Sequence, residues 1–265
     1  MRYTIAAAVN DEAVLQSSLL SSPELEKWAE IVLRRGCVSA SAACNEALEM
    51  ATGEIVIFVH QDVFLPAGWF ARLESAIQWL DVTDSNWGVL GIYGMTADRQ
   101  GRGWVYSTGL GARLGGPFPV PHEVRTLDEV VLVIRRSSGL RFDEHLPGFH
   151  MYGTDICLRA ESRGCRNYVV PCFAIHNSNG IRNLPPAFWQ ACQYVRRKWR
   201  DRLPVCAPCT TLDRSALRSA IKRIRQLFYA NLQRQTAGSR VADPSALYWQ
   251  LETKGLGQSL TSFQE

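Results

Sequence analysis

The sequence predicts an α/β chain built on a central, mainly parallel sheet flanked by helices. Three observations carry this. Short apolar runs such as "YTIAAAV", "IVIFVH" and "WGVLGIYGM" read as strands buried on both faces. Segments with helical spacing alternate with them. Polar residues gather where these strands end, and in open α/β sheets that is where ligands bind.

In chain order, residues 3–9 form a buried first strand and residues 12–20 a helix. A weak strand follows around 31–33. Ser39 or Ser41 can cap a helix whose apolar side is Ala42, Ala43, Ala47 and Leu48, with Gly53 as its stop. "IVIFVH" is the next strand. The helix over 67–80 places Phe70, Leu73, Ile77 and Leu80 on one side. Residues 87–95 read as one buried strand. The pattern then fails over 96–124, where repeated glycines and Pro117, Pro119 and Pro121 mark a long functional loop or a hairpin excursion. "EVVLVIRR" returns to strand, and residues 153–164 form a short helix stopped by Gly164. "RNYVVPCFAIHNSNG" is a last strand ending at His176. From Pro185 onward the pattern is helical and rich in arginine, and 236–265 reads as a weakly structured tail. The division expected is 1–183 for the sheet domain, 184–235 for a basic helical extension and 236–265 for the tail.

At 265 residues and 46% hydrophobic content the chain can bury a sizeable core. A net charge of +4 does not argue for a nucleic-acid binder. The basic residues of "RRKWRDR" and "IKRIRQ" are a solvated helix face or a docking surface for a membrane or an acidic partner. The N-terminal apolar run is short for a signal peptide, and no run reaches the ~18 to 20 residues needed to cross a bilayer. The expectation is a soluble, cytoplasmic chain, with peripheral contact at the inner membrane face as an extension of it. Cys206 and Cys209 form a lone CxxC without a second pair at zinc-ribbon spacing.

Val9 leads to Asn10 and Asp11, Val59 to His60, Gln61 and Asp62, and Ile175 to His176. If the sheet brings these ends together, Asp62 and His176 could hold one divalent cation, manganese or magnesium, with Asp155 left as a general base. Each has a plain structural alternative: Asp155 as a helix cap, His176 as a satisfied histidine at a strand end. Trp104 and Tyr106 could stack on a ligand or pack their loop onto the body. His150 could touch a ligand or lie in a surface loop.

"SAACNEALEMATGEIVIFVHQD" resembles family 2 glycosyltransferases of the GT-A (Rossmann-like) fold, in which a helix with an asparagine precedes an apolar strand ending in Asp-x-Asp. "TLDEVVLVIRRSSGLRFDEHLPGFHMYGTDICLRAESRG" resembles their acceptor region, and "IHNS" their C-terminal histidine. The "HQDV" and "FHMYGTDICL" wording is similar to a bacterial subgroup like the streptomycin-biosynthesis StrF-type domain. The resemblance covers roughly 3–178. It implies an inverting, divalent-metal-assisted transfer of a sugar from a nucleotide-diphosphate donor, UDP-sugar foremost, to a glycan, lipid-linked or small-molecule acceptor. It implies Asp62 and His176 as metal ligands and Asp155 as the base. Asn10, Asp11, Asn45, His60, Gln61 and Asp62 would bind the nucleotide sugar. Trp104, Asp128, His150 and Thr154 would contact acceptor or donor. His60 replaces the first aspartate of the motif, so one carboxylate suffices or the metal is softer; Thr154 replaces a glutamate. These departures motivate the alternative of a non-catalytic module that binds a nucleotide sugar or a partner. A nucleotidyltransferase fits less well, because no Gly-rich basic loop follows the first strand. The C-terminal basic helices could meet a membrane or mediate self-association.

Overall fold

The computed structural model describes residues 3–180, 184–215, 217–218, 220–221, 224 and 238–257. The first half runs β1 (Tyr3–Val9), α1 (Glu12–Ser17), the single turn α2 (Leu25–Trp28), β2 (Ala29–Arg35), α3 (Ala40–Met50), β3 (Ile55–Val59), β4 (Val63–Phe64) and α4 (Trp69–Thr83). Next come β5 (Trp87–Gly91), β6 (Tyr93–Met95), β7 (Gly101–Ser107), β8 (Ala112–Gly115), β9 (His122–Val124), β10 (Thr126–Leu127) and β11 (Val131–Arg135). The last part is α5 (Tyr152–Ser162), β12 (Arg166–Val169), β13 (Ala174–His176), α6 (Pro186–Lys198), β14 (Val205–Ala207), β15 (Thr210–Leu212) and α7 (Pro244–Thr253).

The main sheet has the order β2-β1-β3-β11-β5-β12-β9. β1 pairs in parallel with β2 and β3, while β11 runs antiparallel between β3 and β5. The sheet is therefore mixed rather than mainly parallel. Its two faces are both covered. Val56 and Phe58 point into one core with α3, α5 and α6; Ile55, Ile57 and Val59 point into the other with α1 and α4. This is why β3 has no polar alternation: each side chain, buried whichever way it points, contributes about 1.5–3 kcal/mol.

A second sheet of order β10-β6-β7-β13-β4, with β8 on β7, accounts for two strands that the sequence reads as continuous. The expected strand over 87–95 breaks at Ile92, whose carbonyl accepts the Trp104 amide at 2.8 Å, and the chain passes from one sheet to the other. The expected strand ending at His176 breaks at Pro171. Proline has no N–H for a ladder, and the Cys172 amide turns back to the Val170 carbonyl at 2.8 Å. The Gly-rich stretch over 96–124 is a hairpin excursion, β7 against β8. At Gly103 φ is +138°, and a Cβ there would lie 2.1 Å from the Ile92 carbonyl oxygen, so only glycine fits.

Three further expectations change. α3 stops at Met50 rather than at Gly53, whose amide instead donates to Thr4 Oγ1 at 3.0 Å. The stretch after Pro185 is not helical throughout: β14 and β15 form a hairpin, paired Val205 to Leu212. Phe188, Trp189, Val195, Val205 and Leu212 are buried in the same core as Phe58 and Leu132, so residue 183 marks no boundary in the packing. The tail expected to be weakly structured contains α7, capped by Asp243 and packed through Tyr248 and Leu251 against Phe64, Trp104 and Phe173. Most of the second basic helix lies outside the described residues.

Candidate functional site

Strand register builds the site. The His60 amide donates to the Val130 carbonyl at 3.1 Å, extending the β3–β11 pairing by one residue. The Val63 amide then returns to the His60 carbonyl at 3.1 Å, so Gln61 and Asp62 form a turn. β4 leaves this turn antiparallel to β13, with Val63 opposite His176. The Asn177 amide donates to the Asp62 carbonyl at 2.7 Å. The polar end of one sheet's central strand is thereby clamped to the end of a strand in the other.

His60, Asp62 and His176 each offer a ligand atom within 4.8 Å of the others. His176 Nε2 lies 3.4 Å from Asp62 Oδ1. Ligands about 2.1 Å from a four-coordinate ion are about 3.4 Å apart, so this pair already has a chelating separation. The tautomer of His60 follows from its neighbours. Tyr152 Oη donates to the Glu129 carbonyl at 3.2 Å, so in its 2.8 Å contact with His60 Nε2 the proton comes from the histidine. Nδ1 of His60 then carries the lone pair a metal needs. Burial holds His60 below its ordinary value and pushes the Tyr152 hydroxyl well up, so both stay neutral. Burial alone would raise Asp62, but His176, His60 and Arg240 hold it well below the usual carboxylate range. Burial pulls His176 down, and the Asp62 carboxylate outweighs it and raises it.

Beside the triad lies a cavity of about 360 Å³ at the carboxyl ends of β1 and β3. Ala6 and Ala8 of β1 line it opposite Ala40, Ala43 and Ala47 of α3. These small side chains leave the space between strand and helix unfilled, and about 300–1,000 Å³ is the usual size of a small-molecule pocket. Gln61 shapes its mouth: Oε1 accepts the Asn10 and Asp11 amides at 2.9 and 3.1 Å, and Nε2 donates to Asn10 Oδ1.

The fold brings together Asn10, His60, Gln61, Asp62 and His176. Asp128 is half-buried and acts electrostatically on both histidines. His150 is half-buried with its ring 5.6 Å from Phe188. The side chains of other expected site residues have partners within the fold. Asp11 caps α1, accepting the Val14 amide at 3.1 Å. Asn45 is spent on the backbone of Phe142, both N–H and C=O, and on Glu144. Thr154 is buried, and Trp104 is buried against Phe173. Asp155, the expected base, has partners of its own. Its side chain is 2% exposed, Lys198 Nζ lies 2.8 Å from Oδ2, and Trp199 Nε1 donates to Oδ1 at 2.7 Å. Both oxygens are used to dock α6.

The structure adds Tyr152, Glu129 and Arg240. Burial and the neighbouring Asp128 push the Glu129 carboxyl up to about 8, and Oε1 accepts the Gly153 amide at 3.4 Å. Tyr152 could have been sought from its place in "HMYGTD"; Arg240, 178 residues from Asp62, leaves no local signal.

Comparison with solved structures defines the class of fold. GalNAc-T7 with UDP, GalNAc and Mn2+ aligns with a TM-score of 0.53 at 12% identity, covering 76% of this chain and 49% of its own. S. aureus TarS aligns with a TM-score of 0.48 at 16% identity, covering 75% and 39%. The fold is of the GT-A-like glycosyltransferase type, and this chain spans about half the length of the GalNAc-T7 chain. No protein-family profile matches it. A curated protein of Fuscovulum blasticum, described as ATP synthase subunits region ORF 6, is 32% identical over 169 residues; these are 60% of this chain and 65% of that protein.

Proposed function

We propose that the chain is a nucleotide-sugar-dependent glycosyltransferase of the inverting, divalent-metal-assisted kind, similar to the StrF-type subgroup. One observation carries this: the His60–Asp62–His176 cluster adjoins a cavity walled by alanines at the carboxyl ends of β1 and β3. The cavity would take the nucleoside and the cluster would stand at the diphosphate. GalNAc-T7 binds UDP and Mn2+ on this fold, which supports UDP as the nucleotide. Two imidazoles and one carboxylate suit manganese better than magnesium, which prefers oxygen ligands. A divalent ion held there supplies neutralisation of charge on the departing diphosphate.

The chain's own groups do the rest. An acceptor hydroxyl gives its proton to a carboxylate, its oxygen attacks the anomeric carbon, and the bond from that carbon to the diphosphate breaks with inversion. Asp155, engaged by Lys198 and Trp199, is badly placed for the proton. Asp128, just ahead of β11, takes this role in the present reading. The acceptor would enter beside His150 and the β7–β8 hairpin. Contact of the basic C-terminal segment with membrane lipid or a second copy remains part of the proposal, supported by the exposed Leu217 and Ile221.

The engaged Asp155 also favours a second reading, a module that binds nucleotide sugar without turnover. Calorimetric titration of UDP with and without Mn2+, followed by a nucleotide-release screen of donors and acceptors, separates the two. The expected outcome is Mn2+-dependent UDP binding abolished in D62N, and turnover lost in D128N with UDP binding kept. Binding without release for every donor would leave the module reading; absence of binding would sink both.

A further inference from the structure

We propose that Arg240 is a diphosphate-binding residue of this site, delivered by a C-terminal strap; the proposal rests on the nucleotide-sugar reading above. Arg240 Nη2 lies 3.3 Å from Asp62 Oδ2, and its Nε donates to the Asn177 carbonyl at 2.9 Å. The contact with Asp62 is long and single-pronged, whereas the strong arginine–carboxylate pairs are frequently bidentate, at about 2.7–2.9 Å. Among the described residues, Nη1 has no partner. The guanidinium therefore stands at the metal cluster with donors to spare, in a side chain 24% exposed.

Its position is built, not incidental. Asn177 is fully buried and grips the strap through both ends of its amide. Oδ1 accepts the Val241 amide at 2.8 Å and Nδ2 donates to the Val241 carbonyl at 2.9 Å. The Gly238 amide donates to the Gly109 carbonyl at 3.2 Å, and a Cβ at Gly238 would lie 2.0 Å from the Thr108 carbonyl oxygen. The residue after His176 thus fixes the strap, and the strap fixes Arg240.

A cation beside Asp62 has a consequence of definite sign. It opposes a divalent ion that binds alone, because the two positive charges share one carboxylate. It favours a diphosphate, whose oxygens match the planar fork of the guanidinium. Arg240 therefore couples the two: the metal is held best when the anion arrives with it. A residue that merely propped up the strap would act on both in the same direction.

The test uses the full chain and its R240Q and R240K variants. Mn2+ binding is followed by the paramagnetic resonance of the free aqua ion, and UDP binding by calorimetry at saturating Mn2+. In R240Q, Mn2+ alone should bind at least as tightly as in the parent, and UDP about tenfold more weakly, the loss expected for a charged hydrogen bond. R240K should fall between. Unchanged UDP affinity in R240Q overturns the proposal, as does a loss of Mn2+ and UDP together, which marks a structural prop. Failure of the parent chain to bind UDP with Mn2+ overturns the nucleotide-sugar reading and this proposal with it; UDP binding that ignores the substitution overturns this proposal alone.

Discussion

His60 shows how one hydrogen bond decides what a side chain can do. It replaces an acidic residue in the resembling motif, and in isolation that substitution weakens attraction for a cation. Tyr152 changes its meaning by accepting the Nε2 proton and leaving Nδ1 as a ligand. Tyr152 itself follows Met151, which sits at φ +65° with its side chain buried. A non-glycine residue there costs about 1–2 kcal/mol, maintained by the packing that aims the tyrosine. Y152F removes the acceptor and the orientation together. Mn2+ affinity should fall about tenfold, the lower end of losses for groups that orient metal-bound histidines. Titration of Mn2+ at a matched thermal midpoint measures this; an unchanged affinity would show that Tyr152 is only a packing residue.

At the seam between α5 and α6, Asp155 holds elements together. Asp155 on α5 meets Lys198 and Trp199 at the end of α6, and Lys198 also reaches Asp143, which accepts from Tyr194 Oη at 2.9 Å. Removing one partner of such a buried set leaves the others unpaired, and D155A should lose about 3–5 kcal/mol in denaturant unfolding. Wild-type stability in D155A would restore Asp155 as a candidate base. The seam also has a pH signature. Burial alone would raise Asp143, but Lys198, Tyr194 and the His145 amide hold it at about 2. Its folded value lies below the ordinary carboxylate value. The stabilisation is therefore complete above about pH 4 and is lost as pH falls toward 2. Near-ultraviolet circular dichroism of an acid titration should show this loss in the parent chain and a much smaller one in K198A.

At the scale of the whole described chain, one core is packed from residues on both sides of 183. One face of the main sheet is covered jointly by α3, α5, α6 and the β14–β15 hairpin. A chain ending at residue 183 uncovers the surface that Phe188, Trp189, Val195 and Leu212 bury. It should show no cooperative thermal transition by calorimetry; a sharp transition would mean that the sheet domain is self-sufficient. Among the described residues no helix is long and apolar enough to cross a membrane.

The elements were legible wherever their cause is local. A both-sides-buried strand such as β3 needs apolar side chains at every position, and a helix such as α4 needs them at every third or fourth. Both patterns survive in the bare sequence. Asp62 and His176 could be singled out for the same reason, as polar residues that end apolar strands. Their meeting could not, because it depends on β4 pairing with β13 in one register. Nor could the sequence distinguish an acid that faces a ligand from one that docks a later helix. Asp155 opens α5 in either case, and only the tertiary structure brings Lys198 and Trp199 to it. The strand breaks at Ile92 and Pro171 and the return of Arg240 to Asp62 are likewise products of packing between distant segments. Periodicity records which way a side chain points; the tertiary fold decides what it meets there.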